Sequence, residues 1–197
     1  MAGHTMSTAR MEAFSDGVIA ILITIMVLEL RAPHDVTAQA LRPLLPIFLA
    51  YILSFIFLGI YWANHHHMLQ LADRVNGGIL WANLHLLFWL SLIPFVTAWM
   101  GENHGASLPT ALYGTVLLCS GAAYTILQRA LIREQGPQSR LASAIGRDTK
   151  GLVSVAIYAV AIPSAFYRPG IAQLLYTMVA LTWLVPDRRI EKELRHS

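Results

Sequence analysis

The chain's chemically capable residues are few and lie among apolar neighbours. Ser15 and Asp16 open a hydrophobic run that reaches Leu30, with Arg10 one to two turns before them. Asn64, His65, His66 and His67 close a second apolar run, and Trp81, Asn83 and His85 begin a third. A carboxylate at membrane depth costs about 2.5–3.5 kcal/mol on insertion scales, so it faces protein or water. Three roles compete for these groups: a hydrogen-bonded latch tying three helices together, a proton relay through Asp16 and the histidines, or a metal site. The latch is favoured, because intramembrane polar groups pair with one another. Consecutive histidines on a helix point about 100° apart and cannot all ligate one ion. No cysteine or second acid sits at ligand spacing, so no metal site is expected. Ser15 and Asp16 are adjacent and no nucleophile elbow is present, so a catalytic triad is not supported. Neither a cofactor nor an enzymatic activity is expected.

These groups must be positioned by membrane-spanning helices. Hydrophobic residues make up 56% of the 197-residue chain and charged residues 13%, against about 25% charged in soluble domains. The single Cys119 excludes a disulfide framework. Arg10, Glu12 and Asp16 interrupt the N-terminal stretch, which lacks the order of a signal peptide, so the first span is expected to be retained. At about 20 apolar residues per crossing, the pattern predicts an all-α membrane protein with six spans, near 11–30, 44–65, 79–100, 108–132, 151–166 and 171–186, in one domain. The fifth and sixth are short, and a re-entrant pair is the alternative there. Tyr167 to Gly170 reads as a tight turn between them. Residues 138–150 read as a short interfacial helix, with Leu141, Ala144 and Ile145 on one side. The tail over 191–197 reads as frayed.

Lys/Arg asymmetry orients the spans. With the N-terminus inside, the internal segments hold Arg10, Arg74, Arg129, Arg133, Arg140, Arg147, Lys150, Arg188, Arg189, Lys192 and Arg195. The external ones hold only Arg31, Arg42 and Arg168. Both termini are therefore expected in the cytoplasm. The basic balance follows from this topology and from anionic lipid. No basic run is interleaved with aromatics in the manner of a nucleic-acid platform. In this topology the three polar clusters converge near the inner surface.

On the first helix, Gly17, Ile21, Thr24 and Leu28 fall within about 60° of one another, with Ile25 flanking. Ser15 and Asp16 project from other sides. The aliphatic stripe suits packing against lipid or a neighbouring helix. Spacing alone favours that reading; the functional alternative is a pore wall, where a ring of Ile or Leu gates by dewetting and Thr supplies hydroxyl oxygens to a passing cation.

The pattern Arg10, Phe14, Ser15, Asp16, Gly17 resembles the transmembrane protein 175 family of potassium channels. The run through Leu30, the Trp62, Asn64, His65, His66 cluster, Asn83, Pro94 and Phe95 extend the match across the first three spans. The resemblance implies a potassium-permeable cation channel without the usual Thr-Val-Gly-Tyr-Gly filter, passing K+ ions passively. It places Ile21, Ile25 and Leu28 at aliphatic constrictions, with Thr24 as a hydroxyl layer. Arg10, Phe14, Ser15, Asp16, Trp62, Asn64, His65, His66 and Asn83 fall in a buried bracing network. Glu29 lies at the outer mouth, where it concentrates cations unless it pairs with Arg31. One pore-lining helix cannot enclose an ion path, so the resemblance implies a homotetramer with the first helix around a central pore, in a prokaryotic inner membrane. The alternative function is a proton-coupled secondary transporter using Asp16 and the histidine layer, although paired repeats and broken helices are not clearly present.

Overall fold

The computed structural model describes residues 8–146 and 148–184. They fold into α1 (Thr8–Leu28), a 3-10 helix (Ala38–Leu44), α2 (Leu45–Gln70), α3 (Gly77–Ser91), α4 (Ile93–Glu102), α5 (Ser107–Gln135), α6 (Arg140–Ile145), α7 (Thr149–Ser164) and α8 (Pro169–Leu184). Arg147 and the final segment with Arg188, Arg189, Lys192, Arg195 and the expected frayed tail lie outside the described residues. Among the described residues, four helical stretches are long and apolar enough to cross a membrane: Thr8–Leu28, Ala38–Gln70, Gly77–Glu102 and Ser107–Gln135. α7 and α8 pair as a hairpin of 16 residues each. At about 1.5 Å per residue α7 is about 24 Å long, short of the roughly 30 Å hydrocarbon core, and α8 is described as far as Leu184.

Local chemistry sets the boundaries. Asn76 caps α3 by accepting from the Ile79 N–H at 3.0 Å, Ser139 caps α6, and Asp148 caps α7 by accepting from the Gly151 N–H at 2.8 Å. Such caps satisfy donors that a helix start leaves open. α1 ends at Leu28, two residues before the expected limit. Glu29 and Leu30 close it with N–H groups turned to carbonyls three residues back. The third span, expected as one helix, is broken at Leu92 into α3 and α4. Pro94 has no N–H for a continuous helix and sits in the first turn of α4, where none is needed. The expected interfacial helix over 138–150 is shorter, since Gly146 at φ 52 ends α6. Leu141 and Ala144 are buried and α6 rests on α5.

α5 is the central helix, touching α3, α4, α7 and α8, while α1 packs across α2, α3 and α4. Two close approaches depend on glycine. A Cβ on Gly101 would lie 2.8 Å from the Ile47 Cα, and one on Gly114 would overlap the Tyr176 ring. Deep between α2, α4 and α5, Tyr113 Oη lies 2.9 Å from Ser54 Oγ, which lies 2.7 Å from Thr97 Oγ1. Thr97 donates onward to the Ile93 carbonyl at 2.6 Å. Each hydroxyl has one proton, so the chain runs from Tyr113 to Ser54 to Thr97, and every donor is used.

Candidate functional site

α1 has two unlike faces. Met11, Ser15, Ile19, Leu22 and Met26 are buried, at spacings of three and four that form one stripe. Arg10, Phe14, Gly17, Ile21, Thr24 and Leu28 are exposed at the same kind of spacing, with Ile25 beside them. Leu28 is 74% exposed, Ile21 57% and Ile25 42%. Branched aliphatic groups displayed along a membrane-length helix must be covered by lipid, by another chain or by a pore. Thr24 spends its proton on the Ala20 and Ile21 carbonyls, at 3.1 and 2.9 Å. Its oxygen lone pairs remain available outward, the arrangement a cation requires.

Opposite this stripe, Ser15 is wholly buried and begins a directional network. It donates to the Met11 carbonyl at 2.8 Å and accepts from Asn83 Nδ2 at 2.9 Å. Asn83 Oδ1 lies 2.8 Å from His65 Nε2. A carbonyl oxygen only accepts, so Nε2 carries the proton. Three helices, α1, α2 and α3, are thus joined through three buried side chains. His65 Nδ1 is buried without a hydrogen-bond partner, so the network ends there.

Asp16 belongs to a different cluster. It is half-buried, and its Oδ1 accepts from Trp62 Nε1 at 3.0 Å. Trp62 stacks on His66 with centroids 5.9 Å apart. Gln70 Nε2 lies 2.9 Å from His66 Nε2, and His66 Nδ1 comes within 2.6 Å of Glu12 Oε1 without hydrogen-bond alignment. Among the described residues, no hydrogen bond joins Asp16 to a histidine. The hydrogen bonds among the described residues therefore do not link Asp16 to His65.

The nine residues placed in a buried network thus divide. Ser15, His65 and Asn83 are buried and linked; Asp16 and Trp62 bond to each other nearer the surface of the chain; Arg10 and Phe14 are exposed in the single chain. Asn64 donates to the Ile60 carbonyl of its own helix at 2.8 Å, and its own carbonyl accepts from Tyr124 Oη at 3.2 Å. His85, expected at the same depth, instead accepts from Trp89 on its own helix at 3.0 Å. Glu29 is half-buried beyond the end of α1 and forms no ion pair with Arg31 among the described residues. Glu12 and Gln70 escaped the sequence reading. Glu12 lies four residues before Asp16, so i,i+4 spacing on one face was the available signal. Among the described residues, no group of three or more His, Cys, Asp or Glu side chains is placed to hold a metal.

Comparison with known proteins is consistent with this arrangement. The profile of a family described as "Endosomal/lysosomal potassium channel TMEM175" matches residues 10–94, the region that contains α1, the network and the Pro94 break. A potassium channel of Chryseobacterium sp. (strain P1-3) is 54% identical, over 98% of this chain and 100% of that protein. The zebrafish (Danio rerio) endosomal/lysosomal proton channel TMEM175 is 27% identical over 66% of this chain and 25% of its own length. The crystal structure of a lysosomal potassium-selective channel TMEM175 homolog from Chamaesiphon minutus superposes with a TM-score of 0.76 at 28% identity, covering 90% of this chain and 96% of that one. With one relative matched along its whole length and the profile falling on the residues that build the site, this chain is a member of the TMEM175 family.

Proposed function

We propose that the chain is one subunit of a potassium-permeable cation channel in a prokaryotic inner membrane, with both termini cytoplasmic. Four copies surround an axis lined by α1. Ile21 forms the narrowest ring, with Ile25 and Leu28 as further layers. Thr24 oxygens replace part of the hydration shell, and Glu29 raises the cation concentration at the outer mouth. The carrying observation is the exposed aliphatic stripe of α1, set opposite a buried latch that prevents the helix from turning that stripe inward. Few oxygens face the path compared with a carbonyl filter, so selectivity is modest. The test is K+ flux into liposomes holding the purified protein. Ile21→Ala is expected to raise basal conductance and lower the K+/Na+ preference. Unchanged flux and preference would remove Ile21 from the gate.

The second reading is proton coupling through Asp16 and the histidines, favoured by the similarity to the zebrafish proton channel. Flux driven by an imposed pH gradient, with K+ absent, distinguishes the two. A turnover at carrier rates that requires Asp16 would favour the transporter over the channel.

A further inference from the structure

Away from α1, the last third of α5 carries a pair of charges that no acid among the described residues balances. Ala122, Ile126, Arg129 and Arg133 are all exposed, at spacings that put them on one face of the helix. Ala123, Leu127 and Leu131 are fully buried on the other side. Ala122 also edges a cavity of about 90 Å³ between α2, α5, α7 and α8, so the chain leaves the apolar end of this face uncovered.

Arg129 and Arg133 are one helical turn apart, so their Cβ atoms stand about 5–6 Å from each other and the like charges repel. An acid three or four positions away would relieve them. Those positions hold Thr125, Ile126, Ala130, Ile132, Gly136 and Pro137. The adjacent Glu134 is engaged elsewhere, its Oε2 accepting from Asn76 Nδ2 at 2.6 Å. Neither guanidinium makes an ion pair or hydrogen bond among the described residues. The helix dipole favours a cation in the last turn, which accounts for Arg133 but not for Arg129 a turn earlier.

Depth identifies what the pair meets. α5 begins at Ser107, after a polar turn over 102–105. At about 1.5 Å per residue, Arg129 lies about 33 Å and Arg133 about 39 Å along it. A helix entering the hydrocarbon core at its first residue leaves it after about 30 Å. Both guanidiniums then stand at headgroup level, while Ala122 and Ile126 stand among acyl chains. A phosphate there supplies the missing negative charge, and guanidinium matches phosphate oxygens in geometry. A zwitterionic headgroup brings its own cation beside the pair, so an anionic one fits better. A water-borne phosphate would satisfy the arginines and leave the apolar half of the face unused.

We propose that this face of α5 binds an anionic phospholipid, with its phosphate between Arg129 and Arg133 and an acyl chain along Ile126 and Ala122. The site requires the chain to be embedded in a bilayer and does not depend on which ion it conducts.

Native mass spectrometry of the full chain, extracted from liposomes of equal dioleoyl phosphatidylglycerol and phosphatidylcholine, tests the site. The wild type is expected to retain phosphatidylglycerol over phosphatidylcholine by about tenfold, the scale set by two arginines at a membrane surface. Arg129→Gln with Arg133→Gln is expected to bring the ratio to about twofold or less, and the paired Lys substitutions to keep part of it. Arg42→Gln with Arg168→Gln, at exposed arginines elsewhere, should leave the ratio unchanged. Ile126→Ser is expected to weaken retention of phosphatidylglycerol, and soluble glycerol phosphate should not displace it. A wild-type ratio near one, or a preference that survives loss of both arginines, would overturn the proposal. Displacement by glycerol phosphate would also overturn it and assign the pair to a water-borne anion. A changed oligomeric state in the Gln variant would overturn it in favour of an acid from a second copy.

Discussion

Asn83 is the residue on which the latch between α1, α2 and α3 turns. Its amide gives a proton to Ser15 and takes one from His65. Asn83→Leu leaves the buried His65 Nε2–H without an acceptor, at about 1–3 kcal/mol, and takes the amide donor from Ser15, which keeps its bond to the Met11 carbonyl. Ser15→Ala breaks one interhelical bond instead of two, taking the acceptor from Asn83 Nδ2, and is expected to be milder. Thermal unfolding in detergent, read by loss of the monodisperse peak, should rank Asn83→Leu below Ser15→Ala and both below the wild type. Asp16 tests the other cluster. Asp16→Asn keeps an oxygen for Trp62 and should leave the unfolding midpoint within about 0.5 kcal/mol of wild type, whereas Asp16→Leu loses the bond. A pH-dependent flux that vanishes in Asp16→Asn, with the assembly intact, would point to a proton-transfer role. Ser15 and Asn83 were legible in the sequence because a polar side chain in an apolar run must find a partner. The division of Asp16 from the histidines was not, because adjacent residues on a helix face different neighbours and only packing decides which.

At the scale of elements, the informative feature is where helices come too close for a side chain. α5 and α8 meet with the Tyr176 ring directly over Gly114, and Tyr176 Oη donates to the Thr110 carbonyl at 3.2 Å. Gly114→Ala drives its methyl into that ring, an overpacking penalty of about 1–3 kcal/mol. Pairing it with Tyr176→Phe removes the nearest atom and is expected to recover part of the loss, seen as a positive coupling in a double-mutant cycle of unfolding midpoints. Additive losses would show that the two residues do not meet. Pro94 was visible in the sequence as a mid-span proline. That it divides the third span into α3 and α4 followed only from its place at the start of a helical turn, beside the Thr97 to Ile93 bond.

At the scale of the whole molecule, the chain exposes the face of α1 that carries the proposed gate. If four copies bring these faces together, Ile21→Cys in a Cys119→Ala background should form inter-subunit cross-links on mild oxidation, observed as a dimer band on non-reducing gels. Ile19→Cys, on the buried stripe of the same helix, should not. Cross-linking at 19 but not at 21 would mean that α1 presents the other face to its neighbours, and the pore assignment would fail. The length of α7 belongs to this scale too. At 16 residues it is shorter than a relaxed bilayer, so its depth depends on what surrounds it.

The amino-acid sequence by itself determined that the chain is helical and membrane-bound, where its long apolar runs lie, and that α1 carries an aliphatic stripe apart from its acid. Those properties follow from composition and from a period of about 3.6 residues, both local to the chain. Only the tertiary structure decided which polar groups meet: Ser15 with Asn83 and His65, Asp16 with Trp62, His66 beside Glu12. Hydrogen bonds act over about 3 Å between residues far apart in sequence, and helical period leaves the rotation of each helix against its neighbours open until side chains pack. The same packing left the cavity between α2, α5, α7 and α8, for which no local pattern stands in the sequence.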